Sequence, residues 1–443
     1  MAKKLIVLIC LFLMGLNLLA LDKPDRRQMD LETYNLYLAR DWKKLILRGE
    51  QALEMGYDFY YLRMRLALAW FTLGRYEKAR NELLMALKHI PNDDNARYYL
   101  HYADLYSGRT GEARRLLGEF TEKKRREMKM PGRSSFSGIS TEAGLFSNLS
   151  LSELQEGMPT GDFVSSYYMS SMNYQNVSIG LNLDYRSNLT IALNRFDSKT
   201  IQRVFTGGNS PVFQHSSLQN SVYLRYLYHF PTSWYAGFAV HWIEGSYSVS
   251  YYQPDDFGQY QFAINQKNKY HQNYFGGFIG NHLTNLDLNL HFSRNDFWHG
   301  PYYQTGAFLV FYPLGSLDYY LKVVYDRMFP EDREKNQEDT WKLLGGSKLL
   351  KGVYLEASHI FGNLSNWADV SGYYPFNSVY PIRSRSGLNL IISGLIPHFR
   401  ISLSGFIQKG EHHAEVYLPD GSIESVIQEY KSSCFFGGLS CVF

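Results

Sequence analysis

The sequence predicts two parts of different fold class, an α-helical repeat region in residues 21–130 and an antiparallel β-barrel of about 14 strands in residues 131–443. The hydrophobic pattern changes from a helical period to a period of two near residue 134. The first part repeats every 34 residues. Aromatic residues make up 16% of the 443 residues, more than an ordinary soluble enzyme carries. The net charge of +3 is too small to indicate a nucleic-acid partner.

Residues 1–20 have the pattern of a secretory signal peptide. Lys3 and Lys4 precede an apolar run that ends shortly before Ala20. A helical membrane anchor is the alternative, although the run is shorter than the ~20 apolar residues that span a bilayer. After cleavage the chain would keep two cysteines, Cys434 and Cys441. Their odd spacing of seven places them on opposite faces of a strand, so we expect no disulfide between them.

The first part contains helical periodicity and a repeat. The apolar run from Leu62 to Leu73 recurs at three and four residues and stops at Gly74, which predicts a helix end there. A second run ends before Pro91. A step of 34 residues pairs Gly74 with Gly108, and it also pairs Leu66 with Leu100 and Ala79 with Ala113.

This pattern resembles the tetratricopeptide repeat (TPR). The central unit carries the small and large residues of that motif at the expected positions: Leu66, Ala67, Trp70, Gly74, Tyr76, Ala79, Leu83, Ala86 and Pro91. The units on either side match less completely, with Phe120 in place of the usual Ala and Arg40 in place of the turn Gly. The resemblance implies three helix pairs that form a TPR α-solenoid.

In TPR proteins the inner helices line a concave groove that binds a ligand. Carried over by this resemblance, the groove residues here are Tyr34, Tyr37, Tyr61, Met64, Phe71, Tyr98, Tyr102 and Tyr106. Such an aromatic groove could hold a peptide or stack on sugar rings. Alternatively, some of these rings close the ends of the core of a short solenoid.

Pro131 and Gly132 end the helical region, and strict alternation begins after them. One example runs from Val177 to Tyr185, and another from Leu286 to Phe292. Alternation over nine or ten residues predicts half-buried strands, and several such strands with alternating short and long connections indicate a closed antiparallel barrel. A count gives 15 strands, and the ambiguity lies in residues 163–215, so we predict 14 and keep 12 and 16 open.

The length of the strands favours a membrane barrel over a soluble sandwich, whose strands are mostly ~5–6 residues. Trp234 and Trp242 lie on one face with apolar residues between them, while the other face includes His241. Eight residues span about 26 Å, so the two indoles would lie near the two interfaces of a bilayer. The sequence therefore predicts a barrel with an apolar outer wall and a polar interior in a bacterial outer membrane, with the helical domain in the periplasm.

Short turns are predicted near residues 231–232, 283–284, 314–315, 350–351 and 396–397, on the periplasmic side. Polar stretches at residues 254–270, 329–339 and 411–428 are predicted to be extracellular loops. The last strand, with Phe435, Leu439, Cys441 and Phe443 on one face, resembles the terminal strand of outer-membrane barrels. That resemblance implies recognition by the barrel assembly machinery.

Two clusters of histidine with hydroxyl or carboxylate residues are candidate chemical sites. His215 stands beside two serines, and residues 411–415 contain His412, His413 and two glutamates. The first has no partner that the sequence identifies, and the spacing of the second matches no helix-borne pair of metal ligands. Polar loop residues explain both. We therefore predict no enzyme activity, no catalytic or metal-binding residues and no cofactor. A lipid-modifying enzyme is the low-probability alternative.

The two-part organisation resembles that of exopolysaccharide export porins and of smaller TPR-barrel proteins of the outer membrane. The resemblance implies a channel or exporter, for polysaccharide or other envelope material, whose repeats bind a periplasmic protein or polysaccharide partner. The alternative is a non-conducting anchor that presents the repeats to a partner. Besides that partner, the interactions expected are with outer-membrane lipid and the assembly machinery, and none with nucleic acid.

Overall fold

The computed structural model describes residues 25–130, 132, 134–159, 163–206, 211–254, 260–298, 300–332, 335–374, 381–396, 398–418 and 422–442. The chain forms two compact units, Met1–Ser107 and Gly108–Phe443. The predicted signal peptide at residues 1–20 and the final Phe443 lie outside the described residues. The predicted domain boundary at residue 130 stays a prediction, and it differs from the division between the compact units.

Eight helices lie in the described part of the chain. They are α1 (Arg26–Leu38), α2 (Trp42–Glu54), α3 (Tyr60–Thr72), α4 (Tyr76–His89), α5 (Asp94–Tyr106), α6 (Thr110–Leu117), α7 (Glu122–Glu127) and α8 (Leu151–Glu156). Helices α1 to α5 form the first unit, and each contacts the next along the chain. No helix among the described residues is long and apolar enough to cross a bilayer.

Local signals in the sequence fix the ends of these helices. Asp25, Asp41 and Asp93 accept hydrogen bonds from backbone N–H groups at the starts of α1, α2 and α5. Gly74 adopts a φ of 71° just after α3, which confirms the predicted helix end. Helix α4 ends two residues before Pro91, also as predicted.

Close packing holds α2 against α3. Leu62, Leu66, Ala52 and Ala69 are fully buried in one core. A Cβ added to Gly49 would lie 2.6 Å from Leu66 Cδ2, so the two helices approach too closely there for a side chain. Small residues at the crossing of paired helices are compatible with the predicted repeats, and the assignment to the TPR family stays a prediction.

The second unit contains a closed antiparallel barrel of 14 strands, which confirms the predicted number. The strands are β1 (Phe136–Asn148), β2 (Phe163–Asn182), β3 (Ser187–Thr206), β4 (Val212–His229), β5 (Trp234–Pro254), β6 (Tyr260–His282), β7 (Leu286–Phe297), β8 (Gly300–Phe311), β9 (Tyr319–Pro330), β10 (Glu338–Leu350), β11 (Val353–Gly362), β12 (Ile382–Ser393), β13 (Phe399–Tyr417) and β14 (Ile423–Val442). Consecutive strands pair, and β1 pairs with β14. The ambiguous stretch 163–215 contains two whole strands and the start of a third.

The two faces of the strands differ as predicted. On β5, Trp234, Phe238 and Trp242 are 47%, 54% and 42% exposed on the outer wall. His241, between them in sequence, is buried on the inner face. On β7, Leu290 is 63% exposed, whereas its neighbours along the strand face inward. A wall that is apolar outside and polar inside identifies the unit as an outer-membrane β-barrel.

The short connections lie where the sequence predicts them, at residues 230–233, 283–285, 312–318, 351–352 and 394–398. They share one end of the barrel with the N-terminus of β1, and this end is periplasmic. The prediction that residues 411–428 form a loop is wrong. Residues 411–417 belong to β13 and residues 423–428 to β14, because this pair of strands continues beyond the apolar part of the wall. Residues 260–270 likewise belong to β6, and the two ends of 329–339 to β9 and β10.

The cysteines behave as their spacing predicts. Cys434 is buried on the inner side of β14, Cys441 is partly exposed, and both are free thiols.

Helix α6 belongs to the barrel unit and packs on its periplasmic rim. The guanidinium of Arg109, just before the helix, donates hydrogen bonds to the carbonyl oxygens of His282 (2.9 Å) and Leu283 in the turn between β6 and β7. A Cβ added to Gly111 would lie 2.1 Å from the imidazole of His229, so the helix backbone lies directly on that ring. The rim of the barrel thus includes residues that precede the first strand.

Candidate functional site

Residues 363–374, in the connection between β11 and β12, fold into the barrel and are called the lumenal segment. Asn363 begins the segment with a local turn, in which its side-chain oxygen accepts a hydrogen bond from the backbone N–H of Ser365 (3.0 Å). The backbone N–H of Leu364 donates to the carbonyl of Ile382 (2.9 Å), which joins the segment to the start of β12.

Trp367 anchors the segment inside the lumen. Its indole is 1% exposed and packs in a cluster with Leu364 and Met328. The indole N–H donates a hydrogen bond of 2.8 Å to one carboxylate oxygen of Asp326, on β9. The other oxygen of this carboxylate lies 2.5 Å from His291 Nε2, on β7. The sequence offers a buried donor and a buried acceptor here, and each satisfies the other.

Amide side chains of the barrel wall hold the next residues of the segment. Gln304, on β8, donates to the carbonyl of Ala368 (2.8 Å) and accepts from its N–H (3.1 Å). Asn295, on β7, donates to the carbonyl of Asn366 (3.1 Å). These contacts replace the backbone hydrogen bonds that a strand would have made.

The far end of the segment contacts the opposite part of the wall. Tyr223 donates to the carbonyl of Ser371 (2.9 Å) from β4, and His241 donates through Nδ1 to the carbonyl of Gly372 (2.9 Å) from β5. Since Nδ1 carries the proton, His241 Nε2 accepts from the hydroxyl of Ser221 (2.8 Å).

The segment therefore crosses the lumen. It contacts β7, β8 and β9 first and then β4 and β5, and Tyr374 donates to Glu142 on β1 (3.1 Å). The crossing lies at the level of the apolar belt, because His241 alternates with the outward Val240 and Trp242. Polar and charged wall residues hold the segment by hydrogen bonds, and apolar packing around Trp367 adds to them.

A cavity of about 410 Å³ lies beside the segment. It adjoins Asp369, Ser371, Tyr373 and Tyr374 of the segment. The wall contributes mostly short polar side chains, together with one tyrosine and two charged groups: Ser140, Glu142, Asn176, Ser178, Thr190, Tyr223, Arg225, Ser402 and Ser440. Several of these residues stand near the periplasmic ends of their strands, so the cavity lies on the periplasmic side of the crossing.

The structure brings four of the eight predicted groove residues together. The ring of Phe71 lies 6.0 Å from that of Tyr106, and the rings of Tyr98 and Tyr106 lie 5.0 Å and 6.0 Å from Tyr102. Tyr76 joins this aromatic cluster at 5.0 Å from Tyr106. Burial raises the pKa of Tyr102, so its phenol stays protonated at neutral pH.

The other four predicted groove residues lie apart from the cluster. Tyr34 is 44% exposed beneath the guanidinium of Arg65, and Tyr61 is 65% exposed. Tyr37 packs edge-on against the neighbouring indole of α2. Met64 is buried, so it supports the unit from within.

His215 and His412, the candidate histidines, lie in strands β4 and β13 of the barrel wall. His215 Nε2 is 2.8 Å from the amide oxygen of Gln202, whose nitrogen donates to the backbone of Ser250 (3.0 Å). His412 is buried against the ring of Tyr168, with centroids 4.4 Å apart. Among the described residues no three His, Cys, Asp or Glu side chains are grouped as a metal site would require.

Sequence reasoning missed the lumenal segment, because residues 363–381 have the composition of an ordinary polar loop. The available signal was Trp367, a large apolar residue near asparagine, alanine and aspartate in a stretch that otherwise has the composition of a polar loop. A tryptophan that occurs in a loop needs both an apolar contact and a hydrogen-bond acceptor, which the lumen provides.

Comparison with known proteins gives similarity to solved barrels. A TodX monoaromatic hydrocarbon channel with the deltaS2S3 mutation aligns with a TM-score of 0.46 and 10% identity, covering 69% of this chain and 91% of that chain. The P. putida toluene transporter TodX aligns with a TM-score of 0.39 and 11% identity, covering 69% of this chain and 90% of that chain. A Pseudomonas aeruginosa FadL homologue aligns with a TM-score of 0.43 and 8% identity, covering 69% of this chain and 90% of that chain. No known family and no curated protein matches the sequence.

Proposed function

We propose that this protein is a gated outer-membrane channel, in which the lumenal segment is the gate and the helical unit is a periplasmic binding module. The observation that carries the proposal is the crossing of the lumen by residues 363–374. A barrel of 14 strands is wider than the barrels of about eight strands whose interiors side chains fill, so we expect its polar interior to admit small solutes without the crossing. The hydrogen bonds that hold the segment contribute about 1 kcal/mol each, so a ligand can displace it step by step.

The cavity beside the segment supports export of a hydroxylated solute. Tyrosine faces stack on sugar rings, and carboxylates such as Glu142 and Asp369 accept hydrogen bonds from paired hydroxyl groups. Glu142 and Asp369 already accept hydrogen bonds from Tyr374 and Ser371, and a hydroxylated solute can exchange these contacts for its own, whereas a hydrocarbon offers no donor in return. Because the cavity lies on the periplasmic side of the crossing, we propose polysaccharide or related envelope material as the cargo.

Planar-bilayer recording tests the channel. The full-length protein should open rarely. A variant in which residues 364–374 are replaced by a short Gly-Ser linker should show steady ohmic conductance, because the crossing is gone. Heat-dependent migration on a mild gel verifies that the variant keeps its barrel. If the shortened, folded variant does not conduct, the protein is no channel.

A non-conducting anchor is the second candidate, since the lumen is crossed and its contacts are well satisfied. In that case the function lies entirely in the helical unit. The full-length protein and a Tyr102→Ala/Tyr106→Ala variant should then differ in capture of a periplasmic partner after cross-linking in cells. A Tyr61→Ala variant serves as the control, because Tyr61 lies outside the aromatic cluster. The anchor is supported if the cluster variant loses the partner and the shortened barrel does not conduct.

A further inference from the structure

On strands β2 to β5 a fully apolar row of the outer wall is followed by a polar row. The last apolar row consists of Val177, Leu193, Val222 and Trp242, each directly opposite the next on the neighbouring strand. All four are exposed on the outer face, by 40% to 58% of their surface. Because these strands run on to the extracellular end, this row marks the outer edge of the apolar belt.

A polar row follows at once towards the extracellular side. Gln175 faces Arg195, Arg195 faces Asn220, and Asn220 faces Glu244 in the same register. The facing side chains of adjacent strands start about 5 Å apart, so the row forms a band of hydrogen-bonding groups across four strands. Glu244 Oε1 lies 3.5 Å from His271 Nδ1 on β6, at the end of the band.

The two rows enclose a groove in the outer wall, with a volume of about 550 Å³. On the membrane side of the groove, valine and leucine side chains form the floor beside the larger indole of Trp242. Polar side chains line the extracellular side of the groove. A groove with an apolar half at the membrane level and a polar half above it matches a lipid that lies along the wall, with its headgroup outward.

Arg195 supplies the charge that selects the headgroup. Among the described residues no carboxylate lies within ion-pair distance of its guanidinium, whereas Arg327 and Arg383 on the same outer surface are paired with Asp339 and Glu411. An unpaired guanidinium flanked by amides can bind a phosphate through two parallel hydrogen bonds. Further along the same face of β3 lie Asp197 and Lys199, whose opposite charges cancel, so the two together leave the net charge of that face unchanged.

We infer that this groove binds a phosphorylated glycolipid of the outer leaflet. The phosphate contacts Arg195, and the sugar hydroxyls contact Gln175, Asn220 and Glu244. The acyl chains lie over the valines and leucine of the apolar row. The site would fix the barrel in the leaflet, independently of any transport through the lumen.

Native mass spectrometry of the full-length protein in detergent tests the inference with three probes. They are bisphosphorylated lipid A, its dephosphorylated form and inorganic phosphate. We expect bound adducts with the first probe alone. In Arg195→Gln the dissociation constant should rise at least about tenfold, the effect of losing a hydrogen bond to a charged group. Lys199→Gln, on the same face of the same strand, should bind as the wild type does.

A groove-filling variant separates the lipid from a free anion. Val222→Trp keeps Arg195 but fills the apolar half, so binding of lipid A should fall as well. Heat-dependent migration shows that each variant is folded. Equal binding of the dephosphorylated lipid, competition by inorganic phosphate at equal concentration, or equal affinities of Arg195→Gln and Lys199→Gln would each overturn the proposal.

Discussion

Replacing Trp367 by alanine should open the channel. The substitution removes a side chain that is 1% exposed, together with its hydrogen bond to Asp326. Truncation of a buried aromatic residue to alanine costs about 3–5 kcal/mol. The cost applies to docking of the lumenal segment, because the 14 strands close around the barrel without it. At 1.4 kcal/mol for each factor of ten, the open fraction should rise by about two to three and a half orders of magnitude.

Single-channel recording in planar bilayers measures this change as open probability. Trp341→Ala is the matched control, since that indole is 39% exposed on the outer wall and packs at a tilt against the ring of Tyr325. It should leave the open probability as in the wild type. If Trp367→Ala gave a folded barrel with an unaltered open probability, the assignment of the segment as a gate would be wrong.

Three further predictions concern single residues. Gly372→Ala should also raise the open probability, because Gly372 has a φ of 68° and its added Cβ would lie 2.1 Å from a tyrosine ring of β6. Gly49→Ala should destabilise the helical unit by about 1–3 kcal/mol through overlap with Leu66, seen as faster hydrogen exchange in α2 and α3. The hydrogen bond from Arg63 lowers the pKa of Asp58 from 3.8 to about 2, so its contribution to stability is present above pH ~4 and lost as the pH falls through about 2. In Arg63→Gln, hydrogen exchange of α3 and α4 should be faster at neutral pH and change less between pH 4 and pH 2.

Matched glycines control the steric predictions. Gly345→Ala would bring its Cβ only to 3.5 Å from Leu321, an ordinary contact, so the channel should stay closed. Gly132→Ala meets no atom within 4 Å and should leave the exchange of the helices unaltered. Equal exchange rates in wild type and Arg63→Gln at neutral pH would show that the ion pairs of Arg63 with Asp58 and Glu82 add nothing to stability.

The order of helices and strands follows from local patterns, which is why the sequence predicts it well. Gly74 and Pro91 end helices because of their own backbone preferences, and the alternation around His241 reflects a wall with one wet face. Such signals depend on neighbours along the chain. Prediction of the number of strands also depended on closure of the barrel, because in a closed barrel every strand pairs with a neighbour on both sides.

The interior of the barrel could not be predicted in the same way. Trp367 meets Asp326 across 41 positions of sequence, and Gln304 meets Ala368 across 64. No periodicity encodes such contacts, because they arise where a loop leaves the wall. The wrong assignment of residues 411–428 has a related cause: polar strands that extend above the membrane have the composition of loops.

The packing of α6 on the periplasmic rim determines where a fragment that contains only the barrel should begin. A fragment that starts at residue 131, the predicted edge of the barrel, would strip the carbonyls of His282 and Leu283 of their guanidinium donor and uncover the ring of His229. A fragment that starts at residue 108 would keep all three covered. Anyone isolating the transmembrane part should therefore include the 23 residues that look, by sequence, as if they belonged to the helices.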